Sequence, residues 1–460
     1  MEFFKKQDAV VHDIISTLAE HGGRAFLVGG AVRDMVMRLP IHDLDIEVHG
    51  LTEHQLETVL KQFGPVSLVG KSFGVWRIHG LAIDWSLPRT DSSGRKPVVT
   101  TDPFMSIEDA ARRRELTMNA MAFDLHTQEL IDPFNGKKDI ENKVLRTPDP
   151  SFFIQDPLRF YRVMQFISRF EMQPDDELNA MCTTMDIAHI SRERIEEEFK
   201  KLLLKSKRPS LGIRWLASLG RLQEILPELA ATHNIKQNPQ WHPEGDVFEH
   251  TMQAVDAAAL IKEKYDNDFD KLILMYAALC HDLGKVTTTK VIDGVIKSYG
   301  HENDSKKFTY TMLKRITHNT DLIRAVCSLV LYHMTPLQFT KSNAGLAAYR
   351  RLASKLDSQV NLITLLDLCV ADKRGRNGIS HEPLITDFED VALFRKKAES
   401  AGVLYGPIKP LLKGADIADT IAPGPEMGKI LEKAYELQIE RGIDGKEELK
   451  NLVLKGKPKK

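Results

Sequence analysis

The chain has 460 residues, too many for one ordinary core, and this length predicts two to four domains. A hydrophobic share of 42% belongs to a globular protein and excludes a disordered one, and a net charge of −1 excludes a uniformly basic nucleic-acid binder. Any polyanion must be held by a local patch, and the longest apolar run, Leu272 to Cys280, is far too short to span a membrane.

Residues 1–150 open without an apolar leader and then mix short strand-like runs with helices. The runs Ala25–Val28, Leu44–Val48, Val75–Ile78 and Leu81–Trp85 are rich in β-branched and aromatic residues, as strands are. The first runs into Gly29-Gly30 and then a helix, where glycines let backbone approach a ligand and free N–H groups face phosphate. Arg33, in the first helical turn, is a candidate for a bidentate phosphate contact. Asp43 and Asp45 alternate along the second strand, so their carboxylates are expected on one face, with Glu47 continuing it. Stacked acids repel unless a cation sits between them, and this donor set suits Mg²⁺ bridging to a triphosphate. Two such ions would activate an attacking hydroxyl and stabilise the leaving pyrophosphate. Asp84 is read equally as a third carboxylate or as a strand-end acid.

From about residue 151 the periodicity is helical. Asp156 and Arg159 are three apart and are expected to stack on one helix face, an acceptor beside a fork of donors. Cytosine and adenine both present an amine beside a ring-nitrogen acceptor and would match such a pair; uracil and guanine reverse the pattern. An intrahelical salt bridge is the alternative. Arg162 and Arg169 follow on nearly the same side. Residues 199–214 carry Lys200, Lys201, Lys205, Lys207, Arg208 and Arg214 with no acid among them, which reads either as an RNA-binding patch or as a solvated face.

A loop at 238–245 leads into a helix bearing His250, and another helix ends in His281-Asp282. Buried without partners the adjacent His and Asp would be costly, so a metal or strong hydrogen bonds are expected. Imidazoles with carboxylates suit a divalent transition metal such as Ni²⁺ or Mn²⁺ that activates water against a phosphoester. Lys285 is a candidate phosphate contact. His301 and His333 are read as second-metal or substrate groups, or as exposed histidines by default. The four cysteines, Cys182, Cys280, Cys327 and Cys369, form no CxxC pair and read as reduced core residues of a cytoplasmic protein.

Gly29-Gly-Ala-Val-Arg-Asp34 with Asp43-Leu-Asp45 resembles the active-site motif of class II tRNA nucleotidyltransferases, the CCA-adding enzymes, and bacterial poly(A) polymerases. Arg113-Arg-Glu-Leu-Thr-Met-Asn-Ala120, Asp132-Pro-Phe-Asn-Gly136, Gln155-Asp-Pro-Leu-Arg159, Glu193-Arg-Ile195 and Pro423-Gly-Pro-Glu-Met-Gly428 resemble later motifs in the same order. The resemblance implies a polymerase-β-like nucleotidyltransferase α/β head at 1–150 and a helical neck and body at 151–237. It further implies an HD phosphohydrolase domain at 238–385 and a helical tail at 386–460. It implies nucleotide contacts from Gly29, Gly30, Arg33, Arg113, Arg114, Asn119, Asp156, Arg159 and Arg162, and tRNA, CTP and ATP as partners. Glu115 and Gln155 stand where the family has Asp and Glu, which bears on nucleotide choice. The stretch Arg89–Pro97 resembles the family's flexible loop. The fused domain, with its H…HD…D pattern, implies His250, His281, Asp282 and Asp372 as metal ligands, and phosphatase and 2′,3′-cyclic phosphodiesterase activity. A poly(A) polymerase, an enzyme adding only the last A, a catalytically silent RNA-binding protein, and a hydrolase whose head only positions RNA are the alternatives.

Overall fold

The computed structural model describes residues 8–69, 74–91 and 99–455, and the chain forms two compact units, Met1–Ser191 and Arg192–Lys460. Residues 92–97, most of the expected flexible loop, lie outside the described residues.

In the first unit the strands are β1 Arg24–Val28, β2 Leu44–His49, β3 Val66–Val69, β4 Val75–Ile78, β5 Ile83–Ser86, β6 Arg89–Asp91, β7 Val99–Thr101, β8 Ala122–Asp124 and β9 Leu130–Ile131, with a separate short parallel pair, β10 Val144–Leu145 and β11 Gln173–Pro174. Seven of them form one sheet in the order β3-β4-β5-β2-β1-β8-β9, with β2 and β5 parallel and the other pairs antiparallel; β6 and β7 pair apart. Strand alternation divides the sheet into two chemical faces. Ile46 and Val48 of β2 and Ile83 and Trp85 of β5 turn inward, against Val11, Ile14 and Leu18 of the helix Asp8–Glu20 and Leu56, Val59 and Leu60 of the helix Glu53–Leu60. Each such fully buried side chain contributes about 1.5–3 kcal/mol. Trp85→Ala, removing the largest of them, would cost roughly 3–5 kcal/mol. The other face carries Asp45, Glu47, Asp84 and Ser86. The apolar half of the pattern thus fixes where the acids point.

Two expectations shift by a residue or two. Asp43 precedes β2 rather than lying on it, since ladder pairing begins at Leu44 opposite Ile83. Asp156 precedes the helix Leu158–Phe170 rather than lying on it: Pro157, with its fixed φ and missing N–H, takes the N-cap, and Asp156 Oδ1 accepts from Leu158 N at 3.1 Å.

The second unit is helical except for a short hairpin, Lys290–Ile292 with Val295–Lys297, turned by Asp293-Gly294, both at positive φ. The helix Val247–Ile261 is capped by Asp246 and the helix Asp268–Cys280 by Asn267. The helices His301–Ile316 and Thr320–Tyr332 form an antiparallel pair, and Leu362–Arg374 packs on Val247–Ile261. Among the described residues no helix is long and apolar enough to cross a membrane.

Candidate active sites

The acidic face of the first unit opens on a cavity of about 330 Å³. Asp45 and Asp84 are register partners across β2 and β5, so their side chains rise side by side from one wall, with Glu47 a step further along. Loss of water raises the Asp45 carboxyl above the usual range; Asp84 and Asp43 push the same way, while Arg114 opposes them. Carboxylates that hinder one another's ionisation in this way form a site for a cation. Arg113, Arg114 and Arg159 also line the cavity, as does Glu115. Asp84 is therefore the third carboxylate of the wall, paired with Arg77 through Nε at 2.7 Å. Asp43 is exposed and adjoins the wall without lining it.

Glu47 was expected only to continue the acidic face. Here it is nearly buried, accepts from His49 Nε2 at 3.0 Å, and lies 3.8 Å from Arg114 Nη2. His49 and Arg114 hold its carboxyl below the usual range against burial. Gly29 sits at φ 68°, and a Cβ there would meet Arg114 Nη1 at 2.7 Å, so Arg114 packs directly on the glycine turn.

Arg33 is buried and turned away from the cavity. Nε donates to Asp34 Oδ1 at 2.8 Å, Nη1 donates to Asn119 Oδ1 at 2.8 Å, and the guanidinium lies over the Phe170 ring at 4.7 Å. Asn119 in turn donates to Glu115 Oε1 at 2.8 Å, and Glu115 accepts from Arg162 Nε at 3.1 Å. Burial would raise the Glu115 carboxyl, but the charge and hydrogen bonds of Arg162 hold it at about 2. Asn119, Glu115 and Arg162 thus tie the glycine-loop helix to the helix Leu158–Phe170. Arg159 donates from Nη1 to Phe152 O and from Nη2 to Arg113 O, both at 2.7 Å, and these bonds fix its guanidinium in the cavity wall. Gln155 Nε2 donates to Ser151 O at 3.0 Å, a local bond.

In the second unit the expected ligands sit at helix ends and converge. His250 Nε2 lies 3.1 Å from Asp372 Oδ1, 3.2 Å from His281 Nε2 and 3.5 Å from Asp282 Oδ2. The other oxygen, Asp282 Oδ1, lies 3.2 Å from His301 Nε2 and 3.9 Å from His333 Nε2, which are 3.1 Å from each other. The default reading of His301 and His333 as exposed is corrected: both are buried, because one begins a helix and the other follows one just where the two helices meet Asp282. Gly284 makes this meeting possible, since a Cβ there would lie 2.1 Å from His301 O.

The tautomers follow from the backbone. His281, His301 and His333 turn Nδ1 to the carbonyls of Ala278, Ser298 and Val330 at 2.9, 2.7 and 2.7 Å. Each Nδ1 is therefore placed to donate to a carbonyl, and each Nε2 is left facing Asp282 and a neighbouring ring. Burial opposes charge on His250, yet Asp372 and Glu244 push its pKa up to about 9. Asp282 and Asp372 stay well below the carboxylate range despite burial, Asp282 through His281 and Lys285, Asp372 through Arg376 and His250. Such a centre stabilises positive charge, and its nitrogen and oxygen donors fit a divalent transition metal. Among the described residues three donor sets are present, His250, His281 and Asp372, then Asp282, His301 and His333, and, on the Nδ1 side of His250, His242, Glu244 and His250, each with ligand atoms within 4.8 Å. Lys285 is buried and donates to Asp282 Oδ2 and Gln237 Oε1, both at 2.7 Å.

Sequence reasoning passed over Glu244, whose Oε1 accepts from His250 Nδ1 at 2.7 Å and His242 Nδ1 at 2.9 Å. Its signal was present as an acid six residues before His250, inside a stretch read only as a loop. The basic run divides. Lys200 and Lys201 pair with Glu196, Glu197 and Glu198 of their own helix, Arg208 with Asp256 and Glu382, and Arg214 with Glu249. Lys205 and Lys207 are exposed with no ion pair among the described residues.

Three families match the chain: the Poly A polymerase head domain over residues 25–146, the probable RNA and SrmB-binding site of polymerase A over 177–232, and the HD domain over 247–376. The chain is 32% identical over 372 residues to the multifunctional CCA protein of Mannheimia succiniciproducens, covering 77% of this chain and 85% of that protein. To the protein of the same name from Stenotrophomonas maltophilia it is 30% identical over 427 residues, covering 89% and 98%. The crystal structure of the Bacillus stearothermophilus CCA-adding enzyme in complex with CTP has the same fold, with a TM-score of 0.65, 20% identity and 96% of each chain covered.

Proposed function

The chain belongs to the family of multifunctional CCA proteins, and on that footing we propose how its residues divide the chemistry. It is a tRNA nucleotidyltransferase that adds C, C and A from CTP and ATP to the tRNA 3′ end without a template, and it carries an HD domain.

Asp43 and Asp45 hold Mg²⁺ in the head, with Asp84 completing the acidic wall. Mg²⁺ held by these carboxylates would supply Lewis-acid activation of the RNA 3′-hydroxyl and charge neutralisation for the leaving pyrophosphate. Arg113 and Arg114 grip the triphosphate from the cavity lining. Glu47 keeps Arg114 aimed, and Gly29 and Gly30 leave room for that approach. Arg33 acts through Asn119, which it holds in place. Arg159, pinned by two carbonyls, offers its remaining N–H groups to the base's ring nitrogen, while Asp156 accepts the exocyclic amine. Arg162 reaches the nucleotide from beside Glu115. The observation that carries this reading is the register pairing of Asp45 with Asp84 on the wall of a cavity that arginines also line.

In the HD domain His250, His281, Asp282 and Asp372 hold one metal, Ni²⁺ or Mn²⁺ by donor type, and Asp282, His301 and His333 a second. A metal held by these residues would supply Lewis-acid activation of water for phosphoester hydrolysis, and the activity proposed is that of a phosphatase and 2′,3′-cyclic phosphodiesterase. Lys285 anchors the shared Asp282 carboxylate. Lys205 and Lys207, with Lys200, Lys201 and Arg208 behind them, contact the tRNA backbone, where recognition of A-form RNA rests on phosphate and shape. The division into 1–150, 151–237, 238–385 and 386–460 assigns these roles to head, neck and body, HD domain and tail, in the cytoplasm. The spans of the three matched families, 25–146, 177–232 and 247–376, each fall inside one of these segments, which supports the division.

Purified protein with tRNA lacking its 3′ CCA and labelled CTP, ATP or both tests the head. Stepwise C, C, A that then stops is expected. A long A ladder would favour the poly(A) polymerase, and no incorporation would overturn the assignment.

A further inference from the structure

Four imidazoles face the proposed HD metals, and three of them are oriented by backbone carbonyls. His250 is the exception. Its Nδ1 meets Glu244 Oε1 at 2.7 Å, and the Gly375 carbonyl lies further off at 3.2 Å. Both the His250 and Glu244 side chains are 0% exposed. Glu244 Oε1 also accepts from His242 Nδ1, while Oε2 has no hydrogen-bond partner among the described residues. A buried carboxylate with one oxygen unsatisfied is costly, and holding a loop does not require it: a carbonyl does the same work for the other three rings.

We propose that Glu244 is a positioning residue of the HD centre, fixing the Nδ1–H tautomer of His250 and making its Nε2 a stronger metal donor. A carboxylate behind an imidazole orients the ring and raises its basicity toward the metal. The charge matters because His250 is the ring nearest Asp372 and so belongs to the donor set at the end of the helix Leu362–Arg374. His242 shares the carboxylate from the other side and fills its second site on Oε1. The inference rests on the reading of this cluster as a metal centre.

The test uses the full chain with Asp43→Asn and Asp45→Asn, so that Mn²⁺ titrates only the second unit, followed by electron paramagnetic resonance. Mn²⁺ binding abolished by His281→Ala establishes the centre itself; its absence would remove the metal reading, whatever Glu244 does. With binding present, Glu244→Gln keeps shape and one acceptor but loses charge, and Mn²⁺ affinity is expected to fall about 10–100-fold. The metal-free melting temperature should be nearly unchanged. Unchanged affinity would overturn the proposal. His242→Phe leaves Glu244 and its charge in place and is expected to keep wild-type affinity. A loss there as large as in Glu244→Gln would show that loop packing, not the carboxylate, sets the site, and would equally overturn it.

Discussion

The Glu115 carboxylate accepts a hydrogen bond from Arg162, 47 positions further along the chain, joining the segment after the helix Ile107–Arg112 to the helix Leu158–Phe170. The longer side chain, Glu where the family has Asp, spans to Arg162 and Asn119 at once. Its folded pKa of about 2 lies below the ordinary value of 4.5, so its stabilising effect is complete above pH 4.5 and is lost as pH falls toward 2. The shift corresponds to a contribution on the order of 3 kcal/mol. Glu115→Gln should therefore lower the urea midpoint of the head near neutral pH, with the gap to wild type closing on acidification below pH 4.5. A gap that widens in acid would contradict this sign.

Asp45→Asn removes the central acid of the cavity wall, and nucleotide incorporation should fall by at least about 100-fold, as when a group stabilising transition-state charge is lost. Hydrolysis of a 2′,3′-cyclic phosphate by the same protein should persist, because the HD residues lie in the other compact unit. Joint loss of both activities would show that the two sites are not independent.

Gly29→Ala would place a methyl 2.7 Å from Arg114 Nη1 at a left-handed φ of 68°. The backbone cost is about 1–2 kcal/mol, and a displaced Arg114 would weaken the triphosphate grip proposed for it. We expect KM for CTP and ATP to rise together while the base preference stays as it was. A changed C-to-A preference with unchanged KM would place Gly29 in base selection instead.

The strands that carry these residues were legible because alternation is strict: Ile46 and Val48 must be buried, so Asp45 and Glu47 must face the other way. The start of β2 was not, since whether Asp43 belongs to the strand depends on pairing with β5, a partner some 40 residues on. The helix start after Pro157 was legible in principle from that proline's missing N–H, yet the spacing of Asp156 and Arg159 drew attention first. The strands β8 and β9 pair only two or three residues each and carry little periodic signal. The hairpin at Asp293-Gly294 had the usual turn pair but sat in surroundings read as helical. In the HD unit, His250, His281, Asp282 and Asp372 stood out by residue type and do converge. The burial of His301 and His333 did not stand out, because it depends on Gly284 allowing two helices to close on Asp282. Long-range placement of this kind leaves no local pattern in a sequence.

That same placement makes Asp282 different from its neighbours. Its two oxygens face different imidazole pairs, Oδ2 toward His250 and His281 and Oδ1 toward His301 and His333. Asp282→Asn should therefore abolish occupancy of both proposed metals, whereas His333→Ala should remove one and leave the set of His250, His281 and Asp372 able to bind the other. Metal content after loading with Mn²⁺ or Ni²⁺ and gel filtration, measured by mass spectrometry in the background lacking Asp43 and Asp45, distinguishes the cases. Chelation should abolish hydrolysis and lower the melting temperature, since a ligand bound only by the folded state contributes RT ln(1 + [L]/Kd) to stability. If His333→Ala held as much metal as wild type, the second donor set would be an imidazole pair without a cation.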